Sequence, residues 1–293
     1  MEQVPALPDN LLDLEVTLGA FPPRPPRGGA ITRPVFLVGC ARSGTSILGE
    51  IIAVHPRVTY LYEVSAIWNR VLPGRPDHRL TAADATAEVI ERLHQELGAR
   101  MPDPHRDVLV EKNPKHTLRI GFLDAAFPDS RIIHLIRDGR DTVASLMFRN
   151  RGPSWGHLKI PGWEDLLARY PEENHLRCAY QWRDSVALGR EEGLRLPPER
   201  YQEIRFEKLV ADPAAAVEEA MAFLGLELTP EVRAVLPRIQ DATQGSYHAR
   251  RQVRHYVDNH QRRVGRFREN LSDCQVREVL EICGDLLSEL GYS

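Results

Sequence analysis

Long apolar runs are missing from this chain of 293 residues. No stretch approaches the ~20 apolar residues that a membrane helix needs, so we expect no membrane span. The amino-terminal segment MEQVPALPDNLLDLE is acidic and has no apolar run, which argues against a signal peptide. Cysteine is scarce too, and its residues show neither paired nor metal-ligand spacing: Cys40, Cys178, Cys274 and Cys283. These absences predict a cytoplasmic protein in a reducing compartment that needs no metal ion.

An excess of charge of either sign is also lacking. The 38 lysines and arginines against 41 aspartates and glutamates give a formal net charge of −3. Because the chain is not basic overall, we expect no nucleic-acid partner, and any anion site must be a local concentration of arginines. The oligomeric state stays open, with a homodimer as one option.

The best-defined motif is the segment 34–56, PVFLVGCARSGTSILGEIIAVHP. It predicts a buried strand, a turn bracketed by Gly39 and Gly44, and a helix. In P-loop proteins this order binds phosphate, because backbone N–H groups and the helix dipole face the anion. Thr45 stands where the triphosphate pattern G-x-x-x-x-G-K-[ST] has its lysine, and Arg42 is the only cation of the loop. The motif therefore predicts a phosphate loop without the triphosphate lysine, with an ordinary strand-to-helix turn as the alternative.

Strands and helices alternate along the rest of the chain. We predict strands at 35–38, 58–61, 108–110, 131–136 and 201–205, and further helices at 85–97, 116–126, 138–149, 174–191 and 272–290. This alternation predicts an α/β protein with a central parallel sheet flanked by helices in three layers and a site at the carboxyl ends of the strands. Residues 1–33 form an amino-terminal arm in this interpretation, and residues 34–293 form one domain.

A second strand, polar turn and helix follow in the segment 132–147, IIHLIRDGRDTVASLM. Arg137 ends the strand, and Ser145 and Arg149 lie on one face of the helix. A guanidinium fork and a hydroxyl together suit one phosphate group. In the alternative interpretation, Asp138 caps the helix and the charged residues around it, including Arg140 and Asp141, are merely solvated.

The two motifs together resemble those of the sulfotransferases that use 3′-phosphoadenosine-5′-phosphosulfate (PAPS) as donor. The first loop of that family carries [KR]-S-G-T-[TS] around the 5′-phosphosulfate, and here Arg42, Ser43, Gly44, Thr45 and Ser46 match it. The family binds the 3′-phosphate through an arginine and a serine eight residues apart, which correspond to Arg137 and Ser145. The resemblance also implies why the triphosphate lysine is missing, since this donor has no β,γ-diphosphate.

The motifs are most similar to the tyrosylprotein and carbohydrate branch of the family. The catalytic base of the tyrosylprotein enzymes is a glutamate twenty-one residues after the loop arginine, a position that Glu63 occupies here. Their supporting lysine corresponds to Lys112, and their second 3′-phosphate arginine to Arg149. The histidine base of the phenol-sulfating enzymes is absent, because Pro114 stands at its position. His116, two residues further on, is the alternative base.

The resemblance implies an in-line transfer of a sulfuryl group from PAPS to a hydroxyl acceptor, with PAP as the second product. Arg42 and Lys112 would neutralise the transferring group, the amides of residues 43–46 would hold the 5′-phosphate, and Glu63 would take the acceptor proton. Residues 150–200 and 239–270 would cover acceptor and nucleotide. Within the second cover, the basic segment 262–268, including Arg266, would close over the nucleotide or form a solvated basic face.

The acceptor and the enzyme class keep alternatives open. The absence of a signal peptide favours a small metabolite, sugar or natural product as acceptor over a tyrosyl peptide. A P-loop kinase shares the loop, but Thr45 in place of the lysine counts against it. A non-catalytic nucleotide-binding module would have no need of Glu63 and Lys112.

Overall fold

The computed structural model describes residues 31–101, 103, 105–147, 155, 158–240, 255 and 258–292. Over these residues, the chain forms five strands: β1 (Val35–Val38), β2 (Val58–Tyr62), β3 (Val108–Lys112), β4 (Arg131–Ile136) and β5 (Tyr201–Arg205). They build one sheet in the order β2-β3-β1-β4-β5, and every neighbouring pair is parallel. All five predicted strands are confirmed, and only β2 and β3 run further, to Tyr62 and Lys112.

Helices connect these strands. Those that the described residues form are α1 (Thr45–Ile52), α2 (Ser65–Val71), α3 (Ala87–Gly98), α4 (Ile120–Ala126), α5 (Gly139–Met147), α6 (Trp163–Arg169), α7 (Asn174–Gly193), α8 (Phe206–Ala211), α9 (Pro213–Leu224), α10 (Pro230–Val235), α11 (Phe267–Asn270) and α12 (Asp273–Glu289). Short 3₁₀ turns occur at Ala82–Asp84, Pro114–Leu118, Leu236–Ile239 and Gln261–Arg263.

Two predicted helices differ from the structure in their bounds or continuity. The helix predicted at 85–97 is α3 (Ala87–Gly98), which starts two residues later with Thr86 as its cap, and the preceding capping box of Thr81 and Asp84 heads a separate 3₁₀ turn. The predicted helix 116–126 is interrupted at Arg119, whose backbone (φ −137°, ψ 14°) is not helical. A 3₁₀ turn therefore follows β3 directly and holds its side chains at the end of the sheet.

The buried strands separate two helical layers. Val35 and Leu37 of β1 pack into one core with helices α1, α8, α9 and α10. Phe36 and Val38 point to the opposite face, into a core with α2, α3 and α4. Because successive side chains of a strand alternate between faces, an uninterrupted apolar strand needs both layers. The predicted three-layer α/β fold is confirmed.

The central strand β1 places the site. Its neighbours are β3 on one side and β4 on the other: the chain adds β2 and β3 on one side of β1 and then crosses over to add β4 and β5 on the other. Such a switch point opens a crevice at the carboxyl ends of the strands, where ligands of α/β proteins bind. The residues that follow β1, β2, β3 and β4 all reach this crevice.

Several predictions fall outside the described residues. These include most of the amino-terminal arm (1–30), Arg149, most of 148–157 and the segment 241–254. Among the helices that the structure describes, none is both long enough and apolar enough to cross a bilayer.

Candidate active site

The loop between β1 and α1 is closed by its own hydrogen bonds. The Ser43 N–H donates to the Cys40 carbonyl oxygen (3.1 Å), and the Gly39 N–H donates to Thr117 Oγ1 (2.7 Å). Gly44 caps α1 in the left-handed region (φ 95°), and an added Cβ there would lie 2.6 Å from the Phe206 ring. The Ser43 amide is thus engaged within the loop, in contrast to the sequence expectation. In the first turn of α1, the Ile47 N–H already donates to the Gly44 carbonyl oxygen (2.9 Å), so the amides of Thr45 and Ser46 are the ones that can face an anion.

Arg42 links the two predicted phosphate motifs. Its backbone is left-handed (φ 76°), which is rare for a residue with a side chain and typical of functional loops. Its Nε donates to Ser145 Oγ (3.1 Å), and its carbonyl oxygen accepts from Arg137 Nη1 (3.2 Å). The structure therefore brings Arg42, Arg137 and Ser145 into one cluster at the ends of β1 and β4.

Arg137 is buried and held from several sides. Its guanidinium donates to the Arg263 carbonyl oxygen (2.5 Å), lies 3.7 Å from Asp141 and stacks over the Phe206 ring at 4.6 Å. Burial lowers its pKa, and the Asp141 and Glu207 carboxylates oppose that shift. A guanidinium fixed in this way is prepared to meet a negative charge that lies in the crevice.

A small cavity lies against this cluster. Its walls come from both motifs and from the later part of the chain: Arg42, Gly44, Thr45, Ser46, Ile47, Arg137, Ser145, Phe206, His255, His260 and Arg263. Ser43 Oγ, Arg137 Nε and Arg263 Nε are buried without a hydrogen-bond partner among the described residues. Arg137 and Arg263 both line the cavity, and unpartnered buried donors are costly, so a phosphate group whose oxygens accept from these two guanidinium groups fits this site.

The charged turn before α5 is buried, so the interpretation of solvated charges is wrong here. Asp138 caps α5 by accepting from the Arg140 N–H (2.8 Å), and it also pairs with the Arg140 side chain. Asp141 accepts from the backbone N–H groups of Gly265 (2.8 Å) and Phe267 (2.9 Å). Its carboxylate thereby ties the carboxy-terminal basic segment to the phosphate motif.

This anchoring decides which arginine of the basic segment lines the cavity. Arg263 lies in the wall, with its guanidinium paired to buried Asp258 (2.5 Å). Arg266 lies outside it, because its side chain is 47% exposed and its Nε is 3.7 Å from Glu269. A nucleotide contact by Arg266 stays a prediction, and the sequence offered no signal to separate arginines three residues apart.

Glu63 and Lys112 meet across β2 and β3. The parallel register pairs Tyr62 with Lys112, and the Glu63 N–H donates to the Lys112 carbonyl oxygen (2.8 Å). Lys112 Nζ forms an ion pair with Glu63 Oε1 and lies 3.8 Å from the centre of the Tyr62 ring. The Lys112 side chain is 1% exposed, whereas that of Glu63 is 39% exposed. The carboxylate is therefore open to a second molecule.

The Glu63–Lys112 pair lies next to the phosphate loop. Burial lowers the pKa of Lys112, the Glu63 carboxylate opposes the shift, and the Arg42 charge adds to it. Ser46 of α1 also reaches the hydroxyl of Tyr62 (3.5 Å). A carboxylate and the charges of Lys112 and Arg42 thus share one end of the sheet.

Sequence reasoning missed a contact that covers the loop. Glu50 is buried in α1, accepts from the His255 N–H (2.6 Å) and also contacts the His255 ring. Tyr62 stacks on that ring, with centres 5.9 Å apart and planes at 14°. The available signal was an acidic residue among the apolar positions of α1, which is rarely buried without a partner.

His116 does not share the crevice. Its side chain is 0% exposed, its ring packs edge-on against Trp68 (4.5 Å) and Phe36 (5.5 Å), and its Nε2 lies 3.1 Å from Glu111. Burial lowers the pKa of His116. Its position in the core leaves no path for an acceptor hydroxyl.

Comparisons with known proteins agree with this geometry. The family described as "Sulfotransferase family" matches residues 34–230. The chain is 27% identical to protein-tyrosine sulfotransferase 2 of Gallus gallus over 68% of its own length and 52% of that protein. It is 31% identical to carbohydrate sulfotransferase 5 of Mus musculus over 55% of its length and 41% of that protein. This chain belongs to the sulfotransferase family, and it spans about half the length of these relatives.

The solved structure of the mouse sulfotransferase SULT7A1, complexed with PAP, has the same fold. It superimposes with a TM-score of 0.50 at 16% identity, covering 87% of this chain and 85% of that one. Both the predicted family and the predicted P-loop-type fold are confirmed.

Proposed function

We propose that this chain transfers a sulfuryl group from PAPS to a hydroxyl group, with Glu63 as the base. The observation that carries the proposal is the juxtaposition of two groups at one end of the sheet. One is the Arg42–Ser145–Arg137 cluster around the phosphate cavity. The other is the Glu63–Lys112 ion pair beside it.

The donor site divides between the two motifs. The first turn of α1 and the Arg42 side chain hold the 5′ end, while Arg137 and Ser145 hold the 3′-phosphate. Bound PAPS supplies the sulfuryl group and a leaving phosphate. The unpartnered Nε of Arg137, a residue that lines the cavity, supports this assignment, because a phosphate oxygen can accept from it. Arg263, which also lines the cavity, adds a third positive charge to those of Arg42 and Arg137.

Glu63 takes the proton of the acceptor hydroxyl in this mechanism. Its backbone is left-handed (φ 46°), and Lys112 fixes its carboxylate from the buried side. The exposed side of the carboxylate remains open to the acceptor. Lys112 and Arg42 both contribute positive charge where negative charge grows during transfer.

The acceptor is a hydroxyl on a small metabolite, sugar or natural product. A tyrosyl peptide is the second candidate, because one relative is named a protein-tyrosine sulfotransferase. A kinase reaction is less well supported, since Thr45 occupies the position of the triphosphate lysine and its side chain is buried.

Thermal unfolding in the presence of nucleotides tests the proposed donor. Because PAP should bind only the folded protein, it should increase the free energy of unfolding by about RT ln(1 + [L]/Kd) and so raise the Tm. ATP with magnesium should raise the Tm much less. Equal or greater protection by ATP would replace the sulfotransferase proposal by a kinase. A separate transfer assay, with radiolabelled PAPS and a set of hydroxyl acceptors, then identifies the acceptor by the labelled product.

A further inference from the structure

A second cavity, of about 400 Å³, is lined by several basic side chains. It lies between the end of α2, the loop that follows it, the 3₁₀ turn after β3, and Lys159. Among its walls are Trp68, Arg75, His78, Lys115, Arg119 and Lys159, which we call the basic cavity. Its volume suits a small molecule rather than a single ion.

The cations of the basic cavity form few direct ion pairs among the described residues, although the Glu111 and Asp77 carboxylates act on Arg119 from a distance. Arg75 pairs with Asp84, but no carboxylate of the described residues forms an ion pair with Lys115, Arg119 or Lys159. Asp77 is the one acidic side chain among the described walls, and its Oδ1 already accepts from the Arg79 N–H (2.8 Å). The cavity therefore carries a net positive charge.

Arg119 shows most clearly that an acceptor of hydrogen bonds belongs in this cavity. The residue is 6% exposed, and its Nε donates to the His78 carbonyl oxygen (2.8 Å). Its Nη1 is buried without any partner among the described residues. A buried guanidinium nitrogen with no acceptor is costly unless a ligand supplies one.

The positive charges of the basic cavity act on one another, as the pKa shifts of His78 and Lys115 indicate. Burial lowers the pKa of His78 to about 3, and the charges of Lys115, Arg119 and Lys159 all add to this shift. Burial and the Arg119 charge also lower the pKa of Lys115, whereas the Glu63 carboxylate opposes it. Lys115 thus lies within electrostatic range of both Glu63 and the cations of the cavity.

We propose that the basic cavity binds a carboxylate or phosphate group of the acceptor, a small anionic molecule whose hydroxyl reaches Glu63. The proposal rests on the proposed sulfotransferase function and narrows its acceptor class. Lys115 and Arg119 follow Lys112 on the same stretch of chain, so the anion site and the reacting end have a fixed separation. An acceptor held at its anionic end is thereby oriented at its hydroxyl.

Binding measurements on PAP-saturated protein test the proposal. Saturation with PAP occupies the phosphate cavity, so that any further anion must bind elsewhere. Isothermal titration with inorganic phosphate and with D-glucuronate separates the two anion chemistries, and D-glucose is the neutral control. We expect saturable binding of at least one anion and none of glucose. Absence of anion binding to the PAP complex would overturn the proposal.

A matched pair of lysine variants locates the site. The chain has four lysines, Lys112, Lys115, Lys159 and Lys208. Lys115→Gln/Lys159→Gln removes two charges from the cavity and should weaken anion binding by roughly tenfold or more, with PAP affinity unchanged. Lys208→Gln, at an exposed ion pair with Glu219, should leave both affinities unchanged. Anion binding that survives the double variant would contradict the site.

The outcomes separate this inference from the proposed function. Failure of the wild-type protein to bind PAP would refute the donor assignment itself. Normal PAP binding without anion binding would refute only the acceptor class. Tighter binding of an acidic tyrosyl peptide than of either small anion, lost in the double variant, would replace the small molecule by a peptide.

Discussion

Lys112 and Glu63 form an ion pair between the ends of neighbouring strands, with the lysine buried and the glutamate 39% exposed. The Lys112 ammonium group lies on the buried side of the pair, against the Tyr62 ring, and the Glu63 carboxylate lies on the exposed side. In the proposed reaction, this asymmetry gives the two residues different roles. The buried cation fixes the carboxylate, and the exposed carboxylate is free to meet an acceptor hydroxyl.

The base assignment predicts a selective loss of turnover in Glu63→Gln. The amide keeps the shape of the side chain but cannot take a proton, so kcat should fall by about 10²–10⁴. PAP affinity, measured by isothermal titration, should change little, because the lost interaction matters mainly in the transition state.

His116→Gln is the control for this prediction. Its side chain is buried against Trp68 and Phe36, so the change should lower the Tm. The folded fraction should nevertheless keep kcat within a few-fold. An inactive His116→Gln alongside an active Glu63→Gln would move the base to the histidine.

The donor assignment predicts weaker PAP binding in Arg137→Ala and in Ser145→Ala. Each loses a charge-assisted contact to phosphate, which costs on the order of 1.5–3 kcal/mol, or about tenfold or more in Kd. Arg140→Ala is the matched control, because this arginine is also buried in the same turn but pairs with Asp138 outside the cavity. It should lose stability and keep its PAP affinity. Unchanged affinity in folded Arg137→Ala would contradict the assignment.

Gly44→Ala should disrupt the phosphate loop. The added Cβ would meet the Phe206 ring at 2.6 Å, at a backbone that is left-handed as well. Gly162→Ala imposes a similar backbone (φ 73°) but meets nothing within 4 Å, so it should cost only about 1–2 kcal/mol of strain. Urea unfolding and PAP titration compare the two. Equal stability losses with intact PAP binding would show that the loop tolerates the side chain.

The free energy of unfolding should fall in mild acid because of His134. Its ring is fully buried and bonded to the Tyr201 hydroxyl (2.8 Å), and burial lowers its pKa to about 4. The unfolded state then binds the proton more tightly, so stability is lost as the pH falls from about 6.5 toward 4. At pH 5 the loss is on the order of 2 kcal/mol.

Denaturant titrations at pH 7 and pH 5 measure this loss. His134→Gln removes the titrating group and should reduce the difference between the two pH values, whatever its effect on absolute stability. The same change at His105, which is exposed, should leave that difference as in the wild-type protein. An unchanged difference in His134→Gln would assign the acid sensitivity to other groups.

Local patterns in the sequence determined the strands, the parallel sheet and both phosphate motifs. An apolar run such as 131–136 predicts a buried strand whatever lies beside it, because periodicity reports burial of that segment alone. Gly44 and Arg42 likewise mark the loop, since a tight turn next to a helix start requires particular residues. Resemblance to a known family then named Glu63 and Lys112 as site residues without placing them in contact.

Tertiary structure alone decided which distant residues meet. The strand order brings β2 beside β3, and through it Glu63 beside Lys112, although 49 residues separate them. The same packing puts His116 in the core and lines the cavity with Arg263 rather than Arg266. The basic cavity gathers segments around residues 75, 119 and 159 that no spacing rule connects. Such contacts follow from the summed burial of the whole core, which a local pattern does not encode.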